Sequence, residues 1–418
     1  EGPKTNGTSA SPLVRSRWLW ALAALTLPVV IALGLAAAQV VPMAELGSLS
    51  PRQAAGARFN ASFSLPPYDL IGLVWPTFFQ SAPGGPRWGL WNLETLTYLG
   101  ALPFVLALLA VVAWPRRRHV GFFVVTALLA LWVAFAVYAP LSPQPWLYSL
   151  PGYNVLRAPA RFFYVVGFAG AYLAAVGIDW LVARQWDKAP VRRVCWLLMG
   201  LAALAVSIPL VGAAIVLFVN GVPGQAERAI WALYLNLPHG TPLRYGDVVY
   251  AINQKLRIGN LEMWKAVGLL LLSVGLVVAW LRGGLSRRAF AAAAVLLTAA
   301  DLLLLAGYYV TPVPLARVVE PRPVAEYLQA QRGANAAASL NGDRILHARP
   351  VDPPMIDLPF GVPDFNGQSS LNMARPAAYT AALFNREGDL ADGAAVRWLM
   401  APNNLADVRQ RTNGIAYE

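Results

Sequence analysis

Seven long apolar runs constrain this chain more than anything else in it: 18–38, 95–114, 119–139, 162–183, 194–219, 261–281 and 289–310. Each is close to the ~20 residues that a helix needs to cross the hydrocarbon core of a bilayer. Lipid offers no water to unpaired backbone N–H and C=O groups, so runs of this kind cross as helices. The chain therefore reads as an α-helical polytopic membrane protein with about seven transmembrane helices. Composition agrees: 57% of residues are hydrophobic and 13% charged, whereas a soluble domain carries roughly 25% charged residues.

Positive charge collects on one side of these runs. Segments 1–17, 115–118, 184–193 and 282–288 hold 13 basic and two acidic residues in 38 positions. The alternate gaps, 39–94, 140–160 and 220–260, hold eight basic and five acidic residues in 118 positions. Cytoplasmic loops carry the excess of Lys and Arg, so the first set is expected inside. Seven crossings then place the N-terminus inside and residues 311–418 outside. The sequence pI near 10 follows from this topology. A nucleic-acid partner is not expected, since that would need a basic patch on one folded face.

Cys195 is the single cysteine. It allows no intrachain disulfide and no CxxC motif, and reads as a small packing residue. His119, His239 and His347 lie far apart in sequence, so a histidine metal site is not expected. The polar start EGPKTNGTSASP shows no signal-peptide pattern, and a chain beginning at Glu1 suggests that the natural start lies elsewhere.

The inner turns PRRR (115–118) and RGGLSRR (282–288) are short and predict antiparallel helix hairpins. The outer gaps are longer and rich in aromatics and proline. Pro66, Pro67, Pro76, Pro83 and Pro86 forbid one long helix over 62–94, and Trp75, Phe78, Phe79, Trp88 and Trp91 suit the headgroup level. A short interfacial or re-entrant helix is predicted over 68–80, serving either as an anchor or as the lining of a groove. A further helix is predicted over 225–236. The tail reads as the start of a small extracytoplasmic α/β domain, cut short. Helices are predicted at 321–333 and 376–384, and strands at 343–349, 395–401 and 414–418.

No GxSxG, HExxH, Walker or dinucleotide-binding motif is present. The candidates are ionisable groups at membrane depth, which default to functional readings there. Lys265 and Asp301 fall at similar levels of the last hairpin and are expected to form a buried ion pair. Glu262 reads as a solvated acid at a helix start, and Asp179 as a partner of Arg184. Arg157 and Arg161, in LRAPARF, stand four apart at the outer surface. With Arg52, and with Arg58 nearby, they are candidates to hold a lipid phosphate, because the guanidinium fork fits phosphate oxygens. The plain alternative is snorkelling toward headgroups. Glu45 is the acid best placed to face that surface. No catalytic residue, cofactor or metal site is evident, and a divalent metal stays open.

AAQVVPMAELGSLSPR (37–52), SLPPYDLIGLVWPTFF (64–79), WNLETLTYLGALPFVLALLAVV (91–112) and LPGYNVLRAPARFFYVVGFAGAYLAAVGIDWL (150–181) together resemble the YfhO-like family of bacterial polytopic membrane proteins. The tail order, with RIL, GQSSLNMARPAAYTAALF, AVRWLMA and GIAYE, resembles it too. The resemblance implies a GT-C-type glycosyltransferase-like protein in the bacterial cytoplasmic (inner) membrane. Such a protein would take sugar from a polyprenyl-phosphate donor and pass it to a cell-envelope acceptor on the outer face. It also implies that this chain is an internal or C-terminal fragment that lacks the loop carrying the family's catalytic acid, so no catalytic residue is carried over. Two other classes stay open on the residues alone: a lipid or polymer transporter, and a membrane scaffold whose outer domain binds a partner.

Overall fold

The computed structural model describes residues 12–50, 56–79, 93–113, 118–150, 152–183, 188–236 and 245–310, together with 314, 330, 344–347 and 396–400. By contacts the chain forms two units, residues 56–312 and residues 1–55 with 313–418.

The first unit is helical. Its helices are α2 (Ala57–Asn60), α3 (Ala101–Ala113), α4 (Arg118–Phe135), α5 (Gln144–Tyr148), α6 (Phe163–Ala183), α7 (Lys188–Gly221), α8 (Pro223–Asn236), α9 (Tyr245–Leu256), α10 (Leu261–Leu281) and α11 (Arg287–Tyr309). The second unit contains a 37-residue helix, α1 (Pro12–Ser48). It also contains two short strands, β1 (Arg344–His347) and β2 (Val396–Met400), which pair in parallel with Ile345 opposite Trp398. The helices predicted at 321–333 and 376–384 and the strand at 414–418 fall outside the described residues.

Six helices among the described residues are long and apolar enough to cross a membrane: 26–48, 118–138, 159–183, 189–221, 261–281 and 287–309. They overlap six of the seven predicted runs, although the first continues to Ser48 and so takes in Glu45, which was expected beyond its end at 38. The run 95–114 does not form one long helix. Its helix, α3, spans only 13 residues, about 20 Å at 1.5 Å per residue. A short 3-10 turn covers Leu93–Thr95, and the chain stays non-helical to Gly100.

Particular contacts cause that break. The Thr97 hydroxyl donates to the Asp69 carbonyl at 2.6 Å. Gly100 adopts φ +93°, a conformation open mainly to glycine. Pro103 then sits in the first turn of α3, where a missing N–H costs nothing.

Although short, α3 is the centre of the bundle. Leu102, Val105, Leu106 and Leu109 are almost wholly buried, packed among Leu173 and Leu181 of α6, Leu198 of α7 and Leu270 of α10. Small residues permit the closest approach. A β-carbon on Gly177 of α6 would overlap the Leu106 carbonyl oxygen, and one on Gly170 would lie 2.9 Å from a Leu99 methyl. Close backbone approach at small residues is the usual mode of helix packing in lipid, where apolar burial gives little drive. The opposite faces stay apolar and exposed, as at Val295, Leu296 and Leu303 of α11, which suits contact with acyl chains.

The three long gaps meet at one end of the unit. Asn60 is buried and its side-chain amide donates to the carbonyls of Tyr153 and Leu156, both at 2.7 Å. Gln144 donates in turn to the Asn60 carbonyl oxygen. The Ala158 amide donates to the Ser62 carbonyl, and Lys255 of α9 donates to the Thr77 carbonyl at 2.7 Å. The described parts of 56–79, 140–162 and 220–260 thus share one end, as alternate gaps of a crossing chain should.

Candidate functional site

The segment 67–79 belongs to this end. It begins with a 3-10 turn, Pro67–Leu73, rather than the helix predicted over 68–80. Prolines at 66, 67 and 76 and the close contact of Gly72 with Thr97 account for this. A β-carbon on Gly72 would come 2.5 Å from the Thr97 hydroxyl oxygen.

Asp69 lies in that turn and is only 5% exposed. Among the described residues neither of its carboxylate oxygens has a hydrogen-bond partner. The Thr95 hydroxyl eases the charge in part without reaching hydrogen-bond geometry. The carboxylate lines a narrow cleft, with room for about one water molecule, that has Gly72, Trp75, Phe79, Thr95 and Thr97 among its walls. The aromatic side of the cleft is braced edge to face: Tyr68 on Phe79 at 4.9 Å, Phe79 on Phe78 at 4.7 Å and Phe78 on Trp75 at 5.0 Å between centroids.

Burial pushes the Asp69 carboxyl up from 3.8 to about 7, because the charged form loses its hydration. A raised folded-state pKa means that the folded chain binds more protons than the unfolded chain between pH 4 and 7. Stability from this group is therefore full below pH 4 and lost as pH rises to 7. The loss is on the order of 4 kcal/mol. Thermal unfolding in detergent should show the parent falling relative to Asp69→Asn over that window and running parallel above it. Parallel curves from pH 4 to 7 would show that Asp69 is ionised and solvated.

Lys255 is the cationic counterpart on α9. It is 7% exposed, and burial pushes its ammonium down to about 8. It fixes the far end of the same segment through Thr77, whose hydroxyl accepts from the Trp75 indole at 3.1 Å.

At the rim, Arg161 donates from Nη2 to Glu94 Oε1 at 2.6 Å, with its side chain 55% exposed. Glu94 and Thr95 are neighbours in the 3-10 turn at 93–95, so the arginine and the cleft share one short support. Arg157 points elsewhere. Its guanidinium stands 5.9 Å from the Phe59 ring centroid and 5.4 Å from that of Phe63, cation–π distances. A spacing of four would let the two arginines share a face only on one helix running through both. Ala158 takes the left-handed conformation, a 3-10 turn covers Pro159–Phe162, and α6 begins only at Phe163. Arg157 therefore precedes the helix, and four-residue spacing does not align the two.

The expected Lys265–Asp301 pair is also corrected. Lys265 donates to Glu262 at 2.6 Å, one turn away on α10. Asp301 is 3% exposed and accepts instead from the Tyr98 hydroxyl at 2.6 Å and from the Ala101 amide at 2.7 Å. The broken start of α3 supplies donors that a continuous helix would have hidden. Glu262 is thus paired, in a first turn capped by Asn260. Arg52 lies outside the described residues, as does Arg184, while Asp179 is exposed. Glu45 is exposed near the end of α1, in the other unit. Cys195 is exposed. No group of three His, Cys, Asp or Glu residues suited to a metal occurs among the described residues.

The sequence reading passed over Asp69, Glu94 and Lys255. A lone acid between two prolines and an apolar stretch was the signal at Asp69. Nothing local marked Lys255, which sits on an amphipathic helix where lysine is ordinary. No family model, curated protein or solved structure matches this chain.

Proposed function

We propose that this chain is a membrane-embedded, glycosyltransferase-like protein that engages a polyprenyl-phosphate-linked sugar on the outer face of a bacterial cytoplasmic membrane. The observation that carries this reading is the joining, through residues 93–97, of an exposed guanidinium and a buried, unpartnered carboxylate at one aromatic-lined cleft. Among the described residues Arg161 uses one of its five donors, on Glu94, which leaves the rest of its fork to grip phosphate oxygens. A lipid-linked phosphate approaching along the apolar faces of the bundle would meet this arginine first. Arg157, held over two rings, plays the smaller part. In the same reading the short α3 counts as the seventh crossing, the gap end faces outward and residues 311–418 form an outer α/β domain that meets the acceptor.

The test uses the full chain in phosphatidylcholine nanodiscs with polyprenyl phosphate as the probe. Arg161→Ala should weaken binding about tenfold or more, as loss of a charged hydrogen bond does, and Arg161→Lys by less. Cysteines at 117 and 150 fix the side: only the second should react with an impermeant thiol reagent on intact cells. Equal binding by parent and Arg161→Ala, or labelling at 117 alone, would remove this reading.

A further inference from the structure

A connection between spans that met only water would show polar side chains, and 139–158 does not. The flanking spans end at Tyr138 and resume at Pro159, so both ends of this connection lie at one edge of the bilayer. Its interior is tied down. Asn60 closes it onto α2 through the Tyr153 and Leu156 carbonyls. The Ala158 amide donates to the Ser62 carbonyl, and the Leu65 amide to the Ala134 carbonyl of α4. Residues 56–65 and the described part of 139–158 therefore form one cap at the end of α4.

This cap turns apolar side chains outward. Leu141 is 89% exposed and Trp146 70%, and Phe63 and Leu156 are exposed as well. Among the described residues, the four with positive φ that are not glycine are Phe63, Ala136, Leu141 and Ala158, all in or beside the cap. Bulky side chains take that conformation at a cost, and glycine or asparagine would make such turns more easily. A turn that faces water gains nothing from leucine or phenylalanine there. Exposed apolar patches of this kind mark a protein or a membrane partner.

Charge selects between the two. Residues 56–68 and 139–162 contain no Asp or Glu and three arginines, Arg58, Arg157 and Arg161. Arg58 is exposed. Among the described residues Arg157 has no carboxylate partner; its guanidinium stands over the Phe59 and Phe63 rings. A stacked guanidinium keeps its in-plane N–H groups for an anion. Indole and leucine beside arginine, with no acid, suit a lipid interface. The tail, 311–418, has 10 basic and 11 acidic residues and so offers no matching excess of negative charge.

We propose that this cap lies in the headgroup region of the leaflet at its end of the bundle. Leu141 and Trp146 enter the upper acyl chains, and Arg58 and Arg157 hold the phosphates of anionic phospholipid. The cap does so whichever ligand Arg161 meets, so this stands apart from the transferase reading.

The experiment uses the full chain in nanodiscs, with Cys195→Ala as background. Leu141→Cys, Trp146→Cys and Leu156→Cys each carry a nitrobenzoxadiazole label. Phosphatidylcholine with a nitroxide near the top of its acyl chain should quench the labels at 141 and 146 strongly, and iodide in the water should quench them weakly. At 156, half-quenching should need about fivefold less nitroxide lipid when the headgroup is phosphatidylglycerol, the worth of one charge near a lipid surface. Arg58→Gln with Arg157→Gln should remove that preference and leave quenching by phosphatidylcholine intact, which separates lost headgroup binding from a lost cap. Strong iodide quenching at 141 and 146 without lipid quenching puts the cap in water and overturns the proposal. Shielding from both quenchers means that protein covers the cap, either 311–418 or a second copy, and overturns it as well. Equal quenching by the two lipids in the parent, or a preference that survives both substitutions, overturns the arginine contacts.

Discussion

Asp301→Ala is expected to cost about 2–6 kcal/mol of stability, since it strips the acceptor from two donors at ~1–3 kcal/mol each. The Ala101 amide is one of the orphan N–H groups at the start of α3, and Asp301 Oδ2 satisfies it at 2.7 Å. The carboxylate also sits at the positive end of the helix dipole. The Tyr98 hydroxyl loses its partner in the same change. The Ala101 amide cannot turn to water, because Ala101 is 4% exposed. Asp301→Asn keeps an acceptor and should lose less. Lys265→Met should cost only the ~0.2–0.5 kcal/mol of a one-turn helix pair, and the double variant should show the sum. Denaturation in mixed micelles reads all four proteins. Recovery of stability in the double variant would restore the direct Lys265–Asp301 pair and sink this account.

Gly177→Leu is expected to leave little folded protein. Even a methyl group at this position would overlap the Leu106 carbonyl oxygen, a backbone atom that cannot swing aside. Overpacking typically costs ~1–3 kcal/mol and sometimes more, and here α6 must separate from the central helix to relieve it. Gly177→Ala should fall between the parent and Gly177→Leu. Gly200→Ala, on α7, meets nothing within 4 Å and should be neutral or slightly stabilising through helix propensity. Folded yield by size-exclusion chromatography in detergent separates these cases. A Gly177→Leu variant as stable as the parent would mean that α3 and α6 are not packed this way.

The helices 118–138, 159–183, 189–221, 261–281 and 287–309 were legible because their signal is one-dimensional. Length and apolar content decide whether a segment can lie in lipid, and both can be counted along the chain. The grouping of alternate gaps followed from the same count. Strands at 344–347 and 396–400 were legible through short apolar runs between loops, although parallel pairing between them depends on what the intervening chain does.

The run at 95–114 shows where counting fails. Its composition is that of a span, yet Gly100, Thr97 and Tyr98 bend it to contacts made at Asp69 and Asp301, 28 and 203 residues away in sequence. Arg157 and Arg161 show the same limit on a smaller scale. A spacing of four implies one helix face only where a helix exists, and the left-handed Ala158 removes it.

The apolar runs and the placement of charge between them were thus determined by the sequence itself, through the energetics of moving backbone and charge into lipid. Each of those terms belongs to one segment and its solvent. The partners of Asp69, Asp301, Lys255 and Arg161 were decided only by the tertiary structure. A buried polar group is matched or left unmatched by whatever the other segments place within about 3 Å of it. That distance depends on helix phase, on breaks such as Gly100 and on close approaches such as Gly177 to Leu106, none of which is a property of the residue it serves.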